Sequence, residues 1–278
     1  KDLKMKRFVA AMYRFIGMHT TGAFFCLCMN FLFLLRGLPD RFYVKGRQLY
    51  LSPKLSKTEI ACSNYRQAVY AFKNGIEARF EYLSRVYFIN LINWKEGDLI
   101  IDCGANIGEL GKLIQDYYPG LTKYIAVEPS PTELISLKKN IDLSMVRPKA
   151  LWNSEDQLTF FVSSDCADSS LIEPQTYSEK ITVPTVLFDE EFSGIQSIKF
   201  FKLEAEGAEP EILKGAIKSL KKIEYISADL GFERGKSAES TFIPVTNFLL
   251  SRGFALVKLD YVRMTALYVN LGLQEGAS

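Results

Sequence analysis

Histidine and paired cysteines are scarce in this chain of 278 residues. His19 is the only histidine, and the cysteines form no Cys-x-x-Cys pair. Zinc sites draw their ligands mainly from these two residue types, so we expect no metal site. Cysteines without a disulfide framework are typical of reduced thiols, which predicts a cytoplasmic protein. The five cysteines are Cys26, Cys28, Cys62, Cys103 and Cys166.

The chain also lacks a strong charge of either sign. Its formal net charge is +2 at pH 7, whereas nucleic-acid-binding domains are usually much more basic. We therefore expect no nucleic-acid partner. An apolar fraction of 48% with 24% charged residues is normal for a globular chain that buries a substantial core.

An uncharged apolar stretch lies near the start of the chain. Residues 15–35 carry no formal charge, and basic residues lie on both sides. The length is near the lower limit for a membrane span, and polar residues within it weaken that interpretation. We favour a helical hairpin, broken near residues 17–22, that packs on the following domain. The alternative is contact with a membrane surface through residues 8–36.

The segment from Leu99 to Gly108 is the most informative in the sequence. An apolar run ends in Asp102 and then breaks into a turn that contains Gly104 and Gly108. Buried parallel strands deliver their carboxyl ends to a ligand at the start of a helix in this way. The Gly-x-x-x-Gly spacing differs from the Gly-x-Gly-x-x-Gly of nicotinamide and flavin sites, which argues against an oxidoreductase.

A second acidic strand end follows. The apolar run 124–127 ends in Glu128, which comes 26 positions after Asp102. Two carboxylates at this separation suit a nucleoside-type cofactor, because its ribose hydroxyls need an acceptor. Glu128 is predicted to accept from both hydroxyls.

A third strand end carries two glutamates. Residues 198–203 form an apolar-rich run, Glu204 and Glu206 follow it, and a turn leads to an acidic helix start at Glu209. Asp-Cys-Gly-Ala-Asn-Ile-Gly, Val-Glu-Pro-Ser-Pro and Lys-Leu-Glu-Ala-Glu-Gly-Ala-Glu, in this order, resemble the FkbM family of S-adenosylmethionine-dependent methyltransferases. The resemblance covers roughly residues 95–270. The family usually has Asp where this chain has Glu204, whose side chain is longer by one methylene.

The resemblance implies an α/β fold of the class I methyltransferase type: a doubly wound, mostly parallel seven-stranded sheet, Rossmann-like. The alternation of strand and helix patterns from residue 99 onward agrees with a sheet covered on both faces. Residues 1–92 are predicted to form an N-terminal helical extension, mainly helical over 57–92. Residues 93–278 are predicted to form the cofactor-binding domain, with strand 146–151 and helices 209–221 and 237–251.

The resemblance also implies the cofactor, S-adenosyl-L-methionine. Asp102 is expected to accept from its ammonium, while Gly104 lets the backbone pass close to it and Gly108 permits tight helix packing. Asn106 is expected to cap the helix and to offer its amide. Adenine is expected near the third strand, and a loop that includes Asp168 is expected to close over the pocket. The predicted cofactor-binding set is Asp102, Gly104, Ala105, Asn106, Gly108, Glu128, Ala150 and Leu151.

Methyl transfer from a sulfonium requires an aligned acceptor, exclusion of water and uptake of one proton. A carboxylate can serve as the general base, and Glu204, Glu206 and Asp229 all follow predicted strands at the ligand-binding edge. FkbM-like enzymes typically methylate hydroxyls of sugars or secondary metabolites, so we expect a small-molecule or glycan acceptor. The sequence contains neither an Asn/Asp-Pro-Pro-aromatic motif nor a Pro-Cys pair, which again disfavours nucleic acid.

Besides an NAD-dependent oxidoreductase, which would use the same sheet topology but which the Gly-x-x-x-Gly spacing disfavours, two alternatives remain at this stage. One is a catalytically silent Rossmann-like binding or scaffold protein, although such a protein would be expected to have a damaged cofactor site. The other is a metal-assisted reaction, in which Glu204, Glu206 and Asp229 would supply oxygen ligands for Mg²⁺.

Overall fold

The computed structural model describes residues 2–53, 59–120, 122–163 and 169–274. The helices are α1 (Asp2–His19), α2 (Gly22–Leu35), α3 (Tyr65–Phe72), α4 (Ile76–Val86), α5 (Glu109–Tyr117), α6 (Pro131–Asn140), α7 (Phe188–Glu191), α8 (Glu209–Lys214), α9 (Phe242–Leu250) and α10 (Leu271–Gln274). The strands are β1 (Arg41–Lys45), β2 (Gln48–Ser52), β3 (Ile60–Cys62), β4 (Asp98–Cys103), β5 (Thr122–Val127), β6 (Val146–Arg147), β7 (Ala150–Trp152), β8 (Asp156–Val162), β9 (Glu179–Leu187), β10 (Ile198–Leu203), β11 (Ile223–Asp229), β12 (Phe232–Arg234), β13 (Glu239–Ser240), β14 (Phe254–Asp260) and β15 (Thr265–Asn270).

The central sheet has seven strands in the order β14-β15-β11-β10-β4-β5-β6. β15 runs antiparallel to both of its neighbours, and the other pairings are parallel. The last two strands form a hairpin. This confirms the predicted α/β fold with a mostly parallel seven-stranded sheet.

Alternation along the strands builds a core on each face of the sheet. Ile100 and Phe200 belong to one hydrophobic cluster, and their neighbours Ile101 and Phe201 belong to the other. Successive side chains of a strand point to opposite faces, so strands that are apolar throughout need cover on both sides. All four side chains are fully buried, and each burial contributes about 1.5–3 kcal/mol relative to exposure.

The apolar stretch near the start of the chain is two helices, not one. α1 ends at His19, where the Thr20 hydroxyl donates to the carbonyl of Ile16 (2.7 Å), and α2 begins at Gly22. The predicted break is confirmed. Over the part of the chain that the structure describes, no helix is long and apolar enough to cross a bilayer.

The extension packs on the sheet through a shared core. α1 lies against α3, and α2 lies against β1. One hydrophobic cluster contains Tyr13 of α1 and Phe72 of α3 together with Ile100 and Phe200 of the central sheet. The predicted boundary between residues 92 and 93 therefore crosses a continuous core, and it stays a prediction.

The prediction of helix over residues 57–92 is wrong at its start. Residues 60–62 form β3, which pairs with β2 in a three-stranded antiparallel sheet. Asn140 of α6 also holds this strand: its side chain accepts from the N–H of Ala61 (2.8 Å) and donates to the carbonyl of the same residue (2.9 Å). These partners are distant in sequence, so local periodicity could not reveal them.

Three other predicted boundaries differ. Strand 146–151 is split because Pro148 has no N–H to donate: β6 stays in the central sheet, and β7 joins a separate sheet of order β7-β9-β8. α8 stops at Lys214, and Gly215 after it lets the chain pass close to β7, where a side chain would meet the Trp152 carbonyl oxygen at 2.1 Å. α9 starts only at Phe242, because the residues before it pair with β12.

Candidate active site

A cavity opens at the carboxyl edge of β4, β5 and β10, where their connecting turns meet helices of the extension. Its volume is about 190 Å³, more than ten times the roughly 10–15 Å³ that one water needs in the same measure. The cavity can therefore hold an organic ligand. Ligands of open α/β sheets bind at this edge.

Lys202 joins two of the predicted site residues. Its ammonium lies 2.8 Å from Asp102 Oδ1 and 2.8 Å from Glu204 Oε2, and it also donates to the Gly104 carbonyl at 3.0 Å. The parallel register places Lys202 beside Asp102 on neighbouring strands. The contact between β4 and β10 thus carries a buried ion triad.

The triad determines the charge state of its members. Burial would lower the pKa of Lys202, but the carboxylates of Asp102 and Glu204 outweigh it and raise that pKa. Burial would raise the pKa of Glu204, but the Lys202 ammonium and a hydrogen bond from Tyr87 lower it. Glu204 is therefore held as a carboxylate at the cavity wall.

Asp102 has partners within the protein for both of its oxygens. Oδ1 faces Lys202, and Oδ2 accepts from the Tyr124 hydroxyl. The residue is 1% exposed but lines the cavity. Its predicted contact with the cofactor ammonium stays a prediction.

Glu128 is buried in the cavity and held by two turns. Its Oε2 accepts from the Asn106 N–H (2.9 Å), and its Oε1 accepts from the Ser130 N–H (2.8 Å). Burial raises the pKa of Glu128 to about 8, and the two N–H groups oppose that rise. Each oxygen keeps a further lone pair, which suits the predicted acceptance from two ribose hydroxyls.

The predicted glycine turn has the backbone that such a turn requires. Gly104 has φ of 77°, and a side chain there would meet the Glu204 carbonyl oxygen at 2.0 Å. Gly108 has φ of 84°, and a side chain there would meet Leu137 and Ile141 at 2.8 Å. Gly104 thus lets β4 and β10 approach, while Gly108 packs against α6 and the residue after it.

The prediction that Asn106 caps the helix is wrong. Gly108 occupies the N-cap position of α5, and Asn106 stands two residues earlier with φ of 51°. Its side-chain oxygen accepts from the amide of Gln67 in α3 (2.6 Å). Asn is among the non-glycine residues that tolerate this left-handed backbone.

The remaining predicted cofactor residues also face the cavity. Ala105, Ala150 and Leu151 all line it. Ala150 and Leu151 belong to β7, in the sheet of order β7-β9-β8. Asp168 of the predicted closing loop lies outside the described residues, and the neighbouring Ser169 lines the cavity.

The candidate bases are brought only partly together. Glu204 and Glu206 line the cavity, and so does Glu233, which the sequence did not indicate. The carboxyls of Glu206 and Glu233 are hydrogen-bonded to each other. Asp229 instead pairs with Arg263 at 2.8 Å, and Arg263 is the member of that pair that lines the cavity.

Mutual repulsion and burial perturb this acidic group. Burial, together with the charges of Asp229 and Glu204, raises the pKa of Glu233 to about 8. Burial raises the pKa of Asp229 to about 6, an effect that Glu204 strengthens and Arg263 opposes. Glu206 has φ of 51°, a left-handed backbone that is unfavourable for a residue with this side chain.

Glu209 has a different place. It is 1% exposed, and its carboxylate accepts from the N–H groups of Ala205 (3.0 Å) and Gly207 (3.1 Å) and from the Thr241 hydroxyl (2.9 Å). It therefore holds the turn between β10 and α8. Its role is to fix the backbone that carries Glu204 and Glu206.

Sequence reasoning missed the part of the wall that α3 and α4 supply. The apolar stripe of these helices is buried in the core, as Val69 and Phe80 illustrate. The face that remains carries polar and aromatic side chains into the cavity. These are Gln67, Tyr70, Arg79, Tyr82 and, just after α4, Tyr87. The only available signal was the amphipathic pattern, which does not say what the polar face meets.

Within residues 2–53, 59–120, 122–163 and 169–274, no three His, Cys, Asp or Glu side chains are grouped as metal ligands.

A comparison with protein families decides the assignment. The sequence profile of the methyltransferase FkbM domain matches residues 102–256, which is more than half of the chain. This chain belongs to the FkbM methyltransferase family. The predicted resemblance is confirmed, and S-adenosylmethionine is the cofactor.

Solved structures with a similar fold are distant in sequence. The FkbM methyltransferase from Methylobacillus flagellatus KT is 19% identical over 73% of this chain and 53% of its own, with a TM-score of 0.47. A SAM-dependent methyltransferase from Aquifex aeolicus is 15% identical over 69% of this chain and 95% of its own, with a TM-score of 0.38. This chain thus spans about half the length of the Methylobacillus protein. A search of curated proteins finds no match.

The cavity of this FkbM-family protein fits the cofactor chemically. Glu128 offers buried carboxyl oxygens for ribose hydroxyls. At the β4 turn, Gln67 Oε1 and Glu109 Oε1 are buried acceptors without a partner in the described protein. The cofactor carries hydroxyl and ammonium donors that match these acceptors.

Proposed function

We propose that this protein transfers the methyl group of S-adenosylmethionine to a hydroxyl of a sugar, glycolipid or secondary metabolite. The observation that carries the proposal is that Glu128, at the ribose end, lines the same cavity as the wall formed by Glu204, Glu206 and Glu233. When bound, the cofactor supplies a methyl whose bond to sulfur breaks as an acceptor oxygen lone pair forms the new C–O bond.

The carboxylates divide the remaining work. Glu204 is tied to Lys202 and Tyr87, and its lowered pKa makes it a poor proton acceptor but a fixed negative charge. The Glu206–Glu233 pair has a pKa near neutrality at Glu233, which is the range that favours a general base. We assign proton uptake from the acceptor hydroxyl to this pair. Asp229 acts through Arg263, which it holds at the wall.

The extension side of the cavity suits a polar ring. Tyr70 and Tyr82 line the wall, and aromatic side chains combine an apolar face with a polar hydroxyl. Carboxylates accept hydrogen bonds from neighbouring hydroxyls. An acceptor with several hydroxyls on an apolar ring face would use both features, which favours a sugar.

Matched acceptors test the reaction class. The full chain is incubated with methyl-labelled S-adenosylmethionine and pairs of methyl glycosides that differ only in a hydroxyl or an amino group. We expect label on the hydroxyl compounds, identified by mass spectrometry. Label only on the amino compounds would contradict O-methylation, and cofactor binding without transfer to any acceptor would favour the silent-scaffold alternative.

Site variants test the assignment of the base. Glu206→Gln and Glu233→Gln are expected to lower kcat by about 10²–10⁴-fold, the usual contribution of a general base. Glu239→Gln, at an exposed position on β13, serves as the matched control and should leave kcat unchanged. Equal activity of all three variants would refute the assignment.

We also propose that the protein is cytoplasmic and contacts a membrane surface through residues 8–36. α2 buries Phe25, Met29 and Phe33, yet its opposite side is apolar as well. The exposed stripe comprises Phe24, Leu27, Phe31, Leu34 and Leu35, each 56–67% exposed. Basic Arg14 and Arg36 flank it and are exposed, which favours an anionic lipid surface.

Vesicle sedimentation tests this contact. The full chain should sediment with phosphatidylcholine vesicles that contain phosphatidylserine and less with phosphatidylcholine alone. Replacing Phe24, Leu27 and Phe31 together by Ser should abolish the binding. Replacing Ile135 and Ile243, which are exposed elsewhere, should not. Binding that survives the triple substitution would contradict the proposal.

A further inference from the structure

Among the residues that the structure describes, three buried polar atoms without a partner belong to residues that line the cavity. They are Gln67 Oε1, Glu109 Oε1 and Arg263 Nε. Leaving such an atom unsatisfied costs about 1–3 kcal/mol. Gln67 is hydrogen-bonded to Asn106 in the turn after β4, and Glu109 begins α5 just after that turn, whereas Arg263 pairs with Asp229. The oxygens therefore form a separate group that only a hydrogen-bond donor can satisfy.

Both oxygens are held by fixed partners. Gln67 is 4% exposed, and its amide nitrogen donates to Asn106 Oδ1 (2.6 Å), so its oxygen is turned away from that contact. Glu109 is 5% exposed, and its other oxygen accepts from Arg79 Nε at 2.9 Å. Both residues line the cavity.

The order of the strands says which part of the cofactor they face. Ala150 follows β6, Glu128 follows β5, and Asn106 follows β4, and these strands are neighbours in that order. Asn106 also donates its N–H to Glu128. A nucleoside whose ribose is bound by Glu128, with its base toward Ala150, therefore extends its 5′ end toward Asn106. The 5′ substituent of the cofactor is an amino acid.

We propose that Gln67 Oε1 and Glu109 Oε1 receive the α-ammonium of the methionine part of S-adenosylmethionine. An ammonium has three N–H donors and no acceptor, so it supplies the donors that both oxygens lack. Gln67 belongs to α3 of the extension and lies outside the matched residues 102–256. The extension is therefore part of the cofactor site. This inference concerns the cofactor and does not depend on the acceptor class.

Three ligands that share adenosine distinguish the ammonium contact from binding of the adenosine part. Calorimetric titration of the full chain uses S-adenosylmethionine, S-adenosylhomocysteine and 5′-methylthioadenosine, which lacks the amino-acid part. Gln67→Met keeps the size of the side chain and removes its acceptor. Hydrogen bonds to charged groups contribute about 1.5–3 kcal/mol, so we expect a roughly 10- to 150-fold loss for the first two ligands. The affinity for 5′-methylthioadenosine should stay within about twofold.

Glu109→Gln supplies a second, independent variant, and thermal melting shows whether each variant is folded. The Glu109→Gln substitution keeps one oxygen acceptor and removes the negative charge. It too should weaken the binding only of the ligands that carry the ammonium. Equal loss for all three ligands would show a general distortion and overturn the assignment. Unchanged affinity in both variants would overturn it as well. If the variants show the expected affinity losses but the protein transfers no methyl group to hydroxyls, only the proposed function is contradicted.

Discussion

Replacing Lys202 by Met is the substitution whose consequences the structure defines best. Lys202 is 3% exposed and lies 2.8 Å from each of two carboxylates. The variant leaves Asp102 and Glu204 side by side and buried, without their shared cation. Removing one partner of a buried ion pair costs about 3–5 kcal/mol. For a chain near this size that corresponds to a fall in Tm of about 6–20 °C.

The neighbouring Lys199 provides the matched control. It lies on the same strand and forms an ion pair with Glu224 at 2.8 Å, but Glu224 is 26% exposed. Pairs that water reaches contribute about 0–1 kcal/mol. Urea unfolding of Lys199→Met should therefore show a loss several times smaller than that of Lys202→Met.

The pH dependence gives a second readout. In the natural protein the lowered pKa of Glu204 stabilises the fold above the pKa of the unfolded chain, and this is lost as pH falls. Without Lys202, burial dominates and raises the pKa of Glu204, so the fold loses stability as pH rises. The deficit of Lys202→Met should thus be larger at pH 8 than at pH 5. A deficit below about 1 kcal/mol, equal at both pH values, would refute this reasoning.

Three further outcomes are expected. Gly104→Ala should destabilise the protein strongly, because its Cβ would meet a carbonyl oxygen at 2.0 Å; Gly97→Ala, with φ of 83° and no atom within 4 Å, should lose only about 1–2 kcal/mol in urea unfolding. Because burial raises the pKa of Glu128 to about 8, the free energy of unfolding should fall as pH rises toward 8, and Glu128→Gln should reduce that slope. Glu206→Gly should relieve a left-handed backbone and melt no lower than the natural protein while losing methyl transfer; a large fall in its Tm would contradict the strain argument.

Local sequence carried much of the prediction of the fold. Asp102 and Glu128 follow strands that are apolar along their length, and such strands form only within a sheet covered on both faces. Where a long-range partner intervenes, the prediction failed. Residues 60–62 pair with β2, and Pro148 interrupts a strand that continues in another sheet.

The site shows the same division. The turn after β4 was readable because positive φ at Gly104 and Gly108 is a local requirement. The expected cap at Asn106 failed because Gln67, 39 positions away, engages its side chain instead. Glu233 belongs to no motif that the sequence analysis recognised. It lines the cavity as part of β12, which pairs with β13 after the end of β11.

The sequence by itself determined the strand–turn–helix units, the acidic strand ends and the family, since each depends on residues close together in the chain. The tertiary structure alone decided which charges meet. Lys202 binds Asp102 because β4 and β10 pair in one register. Asp229 pairs with Arg263 because Arg263 lies in the turn between β14 and β15. The extension joins the cavity because its apolar faces complete the core. Such contacts depend on the free energy of packing the whole chain, which no local pattern records.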